Sequence, residues 1–454
     1  MGVSIIGAGY VGLITAVGLA NAGHRVILVE RRADVVEKIR KGESHIYEIG
    51  LEPLLKEVLG KGLLEVTSSI AEAISGSEIT MVCVATPSDK EGNIDLADIR
   101  TVGEQVGIAL KGKAEFHTFI VKSTVIPGTT EYFGGVVAKA SGKELYREFG
   151  IGMNPEFLRE GNAIEDFVNV DRVIIGTNDP QSKKEINRLY AFVKAPIINV
   201  NVRTAEMIKY ANNSFFALCI SFSNEIAQIC GLVDDVNPYE VMSGVVHDKR
   251  LSLQEGEAMR FAGVAGYLVP GCGFGGSCFP KDVKALRQFS YSKGYTPRLV
   301  EGIINVNESQ IREAVRKLNR SLVSLDGKEI AIMGVAFKPD TDDIRESPSI
   351  KIIDAILEEG GHVRAYDPKA LDKAKRVYGD RITYCKTHEE LLKGADAAVL
   401  VTKWSEFGKI SPEEFKRLLK NPLLLDCRGF YPAEKYSKQL DYQILGMRGS
   451  GRKS

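Results

Sequence analysis

Residues 2–30 read GVSIIGAGYVGLITAVGLANAGHRVILVE, and this stretch decides the fold of the first part of the chain. Apolar runs at residues 3–6 and 25–29 predict two strands, and residues 13–21 between them predict a helix. The turn before the helix carries Gly7, Gly9 and Gly12, and Glu30 closes the second strand. In this order, the first glycine permits a tight turn, the second lets a pyrophosphate approach the backbone, and the third allows close helix packing. The pattern therefore predicts a βαβ unit that binds a dinucleotide.

NAD is the cofactor that this pattern favours. The pyrophosphate is expected at the helix N-terminus, beside Tyr10 and Val11. Glu30 would accept hydrogen bonds from the ribose hydroxyls and repel the 2′-phosphate of NADP. Arg31 and Arg32 leave an alternative open, because either guanidinium could receive a 2′-phosphate, although two arginines after a strand more often lie in a solvated loop.

The rest of the sequence predicts an α/β protein in two related halves. The alternation of strands and helices continues through residues 79–84, 118–121 and 150–153, and the period then changes to long helices at about 204–231 and 297–325. Alternation resumes at residues 329–334, 362–366 and 396–401, where Asp367 ends the second strand as Glu30 does in the first half. We therefore predict two Rossmann-like doubly wound parallel-sheet domains joined by a long-helix middle domain.

The predicted domains are 1–199 for NAD binding, 200–318 for connection and dimerisation, and 319–454 for a nucleotide sugar. The last assignment follows from the absence of a G-x-G-x-x-G turn in the second half, which makes a nucleotide diphosphate a better ligand there than a second dinucleotide.

Composition excludes several classes of function. Lys plus Arg and Asp plus Glu both number 59, so no net charge attracts nucleic acid or an anionic membrane. The most apolar helical segment, residues 214–232, contains Asn224, Glu225 and Gln228, and indicates an interior helix rather than a membrane span. The first residues run directly into a strand, so we expect no export signal. Seven cysteines without a C-x-x-C pair suggest reduced thiols in the cytoplasm, and six dispersed histidines suggest no metal.

The segment GCGFGGSCFPKD, residues 271–282, carries the chemistry. Glycines bring the backbone close to a ligand, Pro280 suits a helix start, and Cys278, Lys281 and Asp282 follow within five residues. A cysteine at a helix N-terminus beside a lysine is stabilised as thiolate and can attack an electrophilic carbon. Local composition fits equally well a glycine-rich turn with a half-buried cysteine.

Over essentially its whole length the sequence resembles the UDP-glucose 6-dehydrogenase family. The resemblance is carried by the motifs GAGYVG, VKSTVIPGTT, NPEFLREG, FGGSCFPKD and AFKPDTDDIRESPS, in the family's order. It implies a four-electron oxidation of UDP-glucose to UDP-glucuronate with two NAD reduced in turn, through a thiohemiacetal and then a thioester on Cys278.

The same resemblance implies roles for individual residues. Lys209 and Asn213, one helical turn apart, would stabilise the oxyanion that develops on the substrate. The implied catalytic residues are Cys278, Lys209, Asn213, Asp282, Glu156 and Thr124. The cofactor-binding residues are Gly7, Gly9, Tyr10, Val11, Gly12, Glu30, Thr86, Thr124, Glu160, Lys281 and Arg345. The substrate-binding residues are Glu156, Phe157, Leu158, Glu160, Lys209, Asn213, Tyr267, Leu268, Gly275, Phe337, Lys338 and Arg428.

Several alternatives stay open at this point. The same chemistry could act on another nucleotide sugar, such as UDP-N-acetylmannosamine or GDP-mannose. The chain could instead be a non-catalytic binder of NAD or a nucleotide sugar, or a two-electron β-hydroxyacid dehydrogenase. Many family members carry an arginine that reaches the partner subunit's substrate where this sequence has Ala262, and either Arg250 or Arg260 could replace it. The long middle helix predicts a homodimer or a larger homo-oligomer.

Overall fold

The computed structural model describes residues 1–89, 91–255 and 258–447. The chain divides into two compact units, Met1–Asn212 and Asn213–Ser454. The division falls inside one helix, α9 (Val202–Cys230), which begins in the first unit and ends in the second. The three-domain boundaries at residues 199 and 318 stay predictions.

The first unit is a sheet of eight strands with helices packed against it. Its strands are β1 (Gly2–Ile6), β2 (Arg25–Val29), β3 (Leu64–Thr67), β4 (Ile79–Val82), β5 (His117–Val121), β6 (Phe149–Met153), β7 (Val173–Thr177) and β8 (Ile197–Val200). Its helices are α1 (Tyr10–Asn21), α2 (Ala33–Arg40), α3 (Leu51–Gly60), α4 (Ile70–Ser75), α5 (Ala97–Leu110), α6 (Thr129–Ser141), α7 (Ala163–Val168) and α8 (Pro180–Leu189).

The strand order in this sheet is β3-β2-β1-β4-β5-β6-β7-β8. Its first six strands follow the order of a dinucleotide-binding fold. Every neighbouring pair is parallel except β6 and β7, which run antiparallel. The unit is therefore doubly wound, as the sequence predicts, with one reversal near its end.

Helix α1 owes its place in the core to its composition. Its residues from Gly12 to Ala20 are all buried, because the helix is apolar on every side. A Cβ on Gly18 would lie 2.3 Å from the ring of Phe167, so this glycine lets α7 pack directly against α1. The helix after the glycine turn is therefore held rigidly beneath it.

The second unit contains a helical region followed by a second sheet. Its strands are β9 (Ser252–Glu255), β10 (Ala258–Phe261), β11 (Glu329–Met333), β12 (His362–Tyr366), β13 (Thr383–Tyr384), β14 (Ala397–Leu400), β15 (Leu423–Asp426) and β16 (Asp441–Ile444). Its further helices are α10 (Pro238–Val246), α11 (Phe279–Ser292), α12 (Arg298–Leu322), α13 (Pro348–Glu358), α14 (Leu371–Tyr378), α15 (His388–Leu392), α16 (Pro412–Leu418) and α17 (Ala433–Tyr436). Short 3-10 turns cover Gly263–Tyr267, Gly379–Arg381 and Ser405–Lys409.

The second sheet repeats the order of the first. Its six strands run β13-β12-β11-β14-β15-β16, and all neighbours are parallel. The two long helices predicted from the sequence are observed as α9 and α12, and Ala217, Phe274, Val283 and Ile303 form a small apolar core where α9, α11 and α12 meet. The chain thus carries two Rossmann-like sheets and a helical middle region, as predicted.

Among the helices that the structure describes, none combines the length and apolarity needed to cross a membrane.

Candidate functional site

The glycine turn between β1 and α1 has a separate geometric reason for each glycine. Gly7 has a φ of +99°, which side chains of L residues rarely adopt. A Cβ on Gly12 would lie 1.8 Å from the carbonyl oxygen of Gly7, so only glycine lets the helix start this close to the turn. A Cβ on Gly9 would meet nothing within 4 Å, which leaves open space beside the backbone. The turn therefore fits a pyrophosphate at the N-terminus of α1.

Glu30 follows β2 and is buried beside this turn. Its Oε2 accepts the backbone N–H of Ala8 at 3.2 Å, and its Oε1 accepts that of Arg32 at 3.0 Å. The guanidinium of Arg32 also lies 3.4 Å from Oε1, and that of Arg31 lies 3.7 Å from Asp98. Because both arginines already face carboxylates, the electrostatics here favour a ribose hydroxyl over a 2′-phosphate.

Thr86 and Thr124 lie beyond the carboxyl ends of the neighbouring strands β4 and β5. The hydroxyl of Thr86 donates to the carbonyl oxygen of Thr124 at 2.9 Å. Since β4 is also the neighbour of β1, both threonines lie at the same edge of the sheet as the glycine turn. This edge is where ligands bind in open α/β sheets.

A buried ion pair joins two of the predicted catalytic residues. The ammonium of Lys209 donates to a carboxylate oxygen of Glu156 at 2.9 Å and to its carbonyl oxygen at 2.7 Å. The two side chains are only 4% and 7% exposed. Burial acts to raise the pKa of Glu156, but the charge and hydrogen bond of Lys209 and the backbone N–H of Leu158 outweigh it and hold that pKa below its usual value. Glu156 is therefore a carboxylate, and Lys209 is fixed in place.

The residues that follow Glu156 surround this pair. The ring of Phe157 lies 5.3 Å from the ammonium of Lys209 and 4.1 Å from the guanidinium of Arg172, both cation–π distances. Leu158 packs against the core of the first sheet. The segment NPEFLREG thus brings two of its predicted site residues, Glu156 and Phe157, close to Lys209 within the first unit.

Cys278 occupies the N-cap position of α11, and its side chain is half-buried. Its carbonyl oxygen accepts the N–H of Asp282 at 2.9 Å, which places the carboxylate of Asp282 one turn into the helix. That carboxylate is buried, accepts the side-chain amide of Asn213 at 2.6 Å, and pairs with Lys281 at 2.7 Å. The second unit therefore gathers a thiol, a carboxylate, an amide and an ammonium at the start of one helix.

Two asparagines that the sequence reasoning missed hold the loop before Cys278. Asn307 on α12 accepts the N–H of Phe274 at 2.8 Å and donates to its carbonyl oxygen at 3.1 Å. Asn224 on α9 accepts the N–H of Gly271 at 2.7 Å. The available signal was Asn224 itself, a polar residue in an otherwise apolar helix, which indicates a buried hydrogen bond as well as the absence of a membrane span.

Arg428 and Phe337 lie against the same loop. The guanidinium of Arg428 donates to the carbonyl oxygen of Gly273 at 3.2 Å and to that of Val401 at 2.8 Å. A Cβ on Gly276 would lie 2.9 Å from the ring of Phe337, and one on Gly275 would lie 2.4 Å from the carbonyl oxygen of Glu346. The glycines therefore let the cysteine loop pack closely on the loops of the second sheet, so that these predicted substrate residues meet in one place.

Asp426, at the end of β15, orients Arg428 and was not predicted. Its carboxylate accepts the N–H groups of Arg428, Phe430 and Tyr431 at 2.7–3.0 Å and the hydroxyl of Tyr442 at 2.7 Å. Burial raises the pKa of Asp426 above its usual range, although these donors oppose the shift. The carboxylate is a structural anchor for the turn that presents Arg428.

The remaining predicted residues of the second unit have these surroundings. Tyr267 ends a 3-10 turn with its ring 4.5 Å from that of Phe216, and Leu268 is buried beside it. The ammonium of Lys338 lies 5.8 Å from the ring of Phe337. Arg345 is paired through two nitrogens with Asp343 at 2.7–3.0 Å.

The two arginines considered in place of the family's cross-subunit arginine lie around the β9–β10 hairpin. Arg250 is exposed and paired with Asp248 at 2.6 Å, whereas Arg260 is exposed on β10.

Asp367 is the counterpart of Glu30 in the second half, and its carboxylate binds the backbone of the turn that follows β11. Its Oδ2 accepts the N–H groups of Val335 and Ala336 at 2.7 and 2.9 Å and the indole N–H of Trp404 at 3.0 Å. The backbone donors after β11 are thus occupied by a side chain. This arrangement agrees with the absence of a second dinucleotide motif.

One group of potential metal ligands occurs within the described ranges. His388, Glu389 and Glu414 place one ligand atom each within 4.8 Å of one another. The imidazole Nε2 lies 3.3 Å from Glu389 and 3.1 Å from Glu414, distances that also describe a surface ion pair.

Three domain models of one protein family match successive parts of the chain. Residues 1–194 match the NAD binding domain of the UDP-glucose/GDP-mannose dehydrogenase family, residues 203–309 its central domain, and residues 331–433 its UDP binding domain.

Individual relatives cover nearly the whole length. A UDP-glucose 6-dehydrogenase of Bacillus subtilis is 35% identical over 99% of this chain and 98% of its own length. A GDP-mannose 6-dehydrogenase of Pseudomonas putida is 35% identical over 90% of this chain and 92% of its own. The solved structure of a UDP-glucose dehydrogenase from the archaeon Pyrobaculum islandicum matches with a TM-score of 0.89 at 36% identity, over 98% of this chain and 97% of that one.

Proposed function

The chain belongs to the UDP-glucose/GDP-mannose dehydrogenase family, and we propose that it oxidises UDP-glucose to UDP-glucuronate with two molecules of NAD. The family makes it an NAD-dependent nucleotide-sugar dehydrogenase. The observation that carries the finer proposal is the half-buried thiol of Cys278 at the N-cap of α11, with Asn213, Lys281 and Asp282 bonded together beside it. A two-electron alcohol oxidation needs no such nucleophile.

In the first step the C6 alcohol of glucose becomes an aldehyde. A hydride leaves the carbon, and the hydroxyl proton passes to water, a step for which the family resemblance implies Thr124 and Asp282. Lys209 and Asn213 stabilise the negative charge that develops on the oxygen. NAD, when bound, supplies the hydride acceptor for this step and for the second oxidation.

The thiolate of Cys278 then adds to the aldehyde and forms a carbon–sulfur bond. Loss of a second hydride from the same carbon, together with the hydroxyl proton, turns this thiohemiacetal into a thioester. Because the half-oxidised sugar is covalently held, it cannot leave between the two oxidations. Water oriented by Glu156 finally attacks the thioester, which breaks the carbon–sulfur bond and releases the carboxylate and the thiol.

The first unit holds the cofactor in this proposal. The turn of Gly7, Gly9 and Gly12 with Tyr10 and Val11 receives the pyrophosphate, and Glu30 receives the adenosine ribose. The other cofactor residues that we propose are Thr86, Thr124 and Glu160 of the first unit and Lys281 and Arg345 of the second unit. The open space at Gly9 and the buried carboxylate at Glu30 support the fit.

The second unit receives the nucleotide sugar. Arg428 and Lys338 suit the charge of a diphosphate, and Gly275, Phe337, Tyr267 and Leu268 line the sugar and nucleotide. Phe157, Leu158 and Glu160 complete the set from the NPEFLREG segment. The family's UDP binding domain, matched at residues 331–433, supports this division of labour.

One stoichiometric assay tests the proposal. The enzyme is incubated with UDP-glucose and excess NAD, and NADH is counted per sugar nucleotide consumed. We expect two. One NADH per sugar would mean a simple alcohol oxidation, and none would mean another sugar or a binding role.

A variant isolates the covalent step. Cys278→Ser is expected to bind NAD and UDP-glucose with affinities near those of the wild type but to stop turning over. The hydroxyl is a far weaker nucleophile than a thiolate at neutral pH. Sustained turnover by this variant at the wild-type rate would refute covalent catalysis through Cys278.

The alternative substrate is GDP-mannose, since a GDP-mannose 6-dehydrogenase is as similar as the UDP-glucose enzymes in identity. Parallel assays with GDP-mannose and UDP-N-acetylmannosamine distinguish these cases by kcat/KM. A ratio that favours either sugar over UDP-glucose would reassign the substrate and leave the chemistry unchanged.

We also propose a cytoplasmic homodimer. Phe215, Phe222 and Ile229 are spaced by seven residues along α9 and are 45–54% exposed, which is unusual for an apolar stripe without a partner. All seven cysteines are free thiols, as in a reducing compartment. Light scattering of the wild type against Phe222→Glu tests the assembly, and a monomeric wild type would contradict it.

A further inference from the structure

Glu48 is a buried carboxylate that none of the steps above uses. It lies in the segment between α2 and α3 and is 7% exposed. One oxygen, Oε2, accepts the hydroxyl of Tyr10 and the backbone N–H of Gly161, the latter at 2.7 Å. The other, Oε1, accepts the backbone N–H of Ala163 at 2.8 Å. A carboxylate buried to this extent is stable only because such donors surround it.

These three donors belong to two different parts of the dinucleotide site. Tyr10 is the first residue of α1, directly after the glycine turn. Gly161 ends the NPEFLREG segment, and Ala163 begins α7. Glu48 is therefore the link, from a third segment, between the turn that faces the pyrophosphate and the segment that carries Glu156 and Glu160.

The electrostatics around Tyr10 keep its phenol protonated. Burial raises the pKa of Tyr10 above its usual value, and the hydrogen bond with Glu48 and the negative charges of Glu48 and Glu160 raise it further. The phenol consequently stays protonated and donates to the carboxylate. A hydrogen bond between a neutral donor and a buried anion is stronger than one between neutral groups.

We propose that Glu48 is a positioning residue of the dinucleotide site, which fixes Tyr10 and the end of the NPEFLREG segment relative to each other and so sets the affinity for NAD. The inference rests on the proposed function insofar as the NPEFLREG segment serves the same reaction. It does not require that the sugar be UDP-glucose.

Two variants separate positioning from simple structural support. Tyr10→Phe removes one hydroxyl and leaves the backbone contacts of Glu48 in place, so the fold is expected to persist. Glu48→Gln keeps the shape, but an amide has a single acceptor oxygen, so at least one of the three donors loses its partner. The matched control is Glu52→Gln, which removes a charge from an exposed residue nearby on α3.

The affinity for NAD is measured on the whole chain by calorimetric titration, and the KM values for NAD and UDP-glucose follow from steady-state kinetics. We expect the dissociation constant for NAD to rise roughly tenfold in Glu48→Gln and by about threefold to tenfold in Tyr10→Phe, in line with the net free energy of one hydrogen bond. The KM for UDP-glucose is expected to stay unchanged in both variants, as is the NAD affinity of Glu52→Gln, and the melting temperature of Tyr10→Phe should fall only slightly because two backbone N–H groups still bind Glu48. The double variant should bind NAD no more weakly than Glu48→Gln alone.

Either of two results would overturn the proposal: wild-type NAD affinity in both variants, or a parallel loss of melting temperature and of affinity for both ligands, which would describe a residue that only supports the fold. If the wild type does not consume UDP-glucose at all, the proposed substrate fails, and the NAD titrations still decide the role of Glu48.

Discussion

The buried pair of Lys209 and Glu156 offers the most direct test of how this site is built. The perturbation is Lys209→Met, which keeps an unbranched stem and removes the ammonium. In the wild type that ammonium lies 2.9 Å from the carboxylate, and both side chains are nearly inaccessible to water. Removing one partner of such a pair leaves an uncompensated buried charge, which costs about 3–5 kcal/mol.

The cost should depend on pH, because Glu156 can escape it by taking up a proton. Without Lys209, burial is opposed only by the smaller effects of the Leu158 N–H and the charge of Lys122, so we expect the pKa of Glu156 to rise above its ordinary value of 4.5. At a pH near 4.5 or below, the carboxyl of Glu156 is largely protonated in the folded and unfolded chains alike, so the cost of a buried charge is absent. As the pH rises, the unfolded chain releases the proton first, and stability falls by about 1.4 kcal/mol per pH unit. The loss grows in this way until the pH passes the raised pKa of Glu156, and the cost of a broken pair sets its upper bound.

The assay is urea unfolding of the wild type, of Lys209→Met, and of the double variant Lys209→Met/Glu156→Gln, each at several pH values. We expect the single variant to approach the wild type near the ordinary pKa of glutamate and to fall away above it. The double variant, which lacks both charges of the pair and keeps only the buried ammonium of Lys122 nearby, should regain most of the stability at all pH values. Its turnover should stay low, because the group that stabilises the oxyanion is gone.

Two results would refute this reasoning. A difference between the wild type and Lys209→Met that does not change with pH would mean that Glu156 is not left as a buried charge. Recovery of turnover in the double variant would mean that Lys209 serves only to neutralise Glu156 and takes no part in the reaction.

Three further predictions concern other parts of the molecule. Burial and the nearby lysines lower the pKa of His117 from 6.5 to about 3, so on acidification the unfolded chain takes up a proton that the folded chain does not. Between about pH 6.5 and about pH 5 this difference should lower the free energy of unfolding by about 2 kcal/mol. His117→Gln should remove this dependence on pH in urea titrations. Asn307→Leu leaves the N–H and carbonyl of Phe274 without their partner at a cost of about 1–3 kcal/mol, and should lower both the melting temperature and kcat, whereas unchanged kcat would separate the loop from catalysis. Glu30→Ser should reduce the preference for NAD over NADP, measured as the ratio of kcat/KM, by roughly tenfold, and an unchanged ratio would remove Glu30 from cofactor choice.

The fold could be predicted from the sequence where the local hydrophobic pattern matches the strand or helix that the tertiary structure places there. Apolar strands, the glycine turn and the acid after the second strand define the first half, and Asp367 marks the repeat of that pattern in the second. The antiparallel pairing of β6 and β7 could not be predicted, because the alternation of side chains along a strand is the same in both directions. The pairing of β9 with β10 was not predicted.

The chemical groups of the site could likewise be named from the sequence, but not their partners. Lys209 and Glu156 were both assigned catalytic roles, yet their ion pair joins residues far apart in the chain and has no local signature. Asn307, Asp426 and Glu48 were missed for the same reason: a buried polar residue looks like any surface residue until the elements around it are assembled. The resemblance to a family implied roles for the groups that contact substrate. The structure identified the residues that hold those groups in place.

Asp367 has a consequence for how a duplicated fold can divide its labour. A second dinucleotide-binding fold has backbone N–H donors at the same edge of its sheet. If those donors had no partner in the protein, they could bind the same cofactor. Here the copy satisfies those donors with its own carboxylate and locks that carboxylate with the indole of Trp404. Glu30 accepts one N–H of the glycine turn, that of Ala8, whereas Asp367 accepts two N–H groups after β11, so we expect each chain to take up a single equivalent of NAD at saturation.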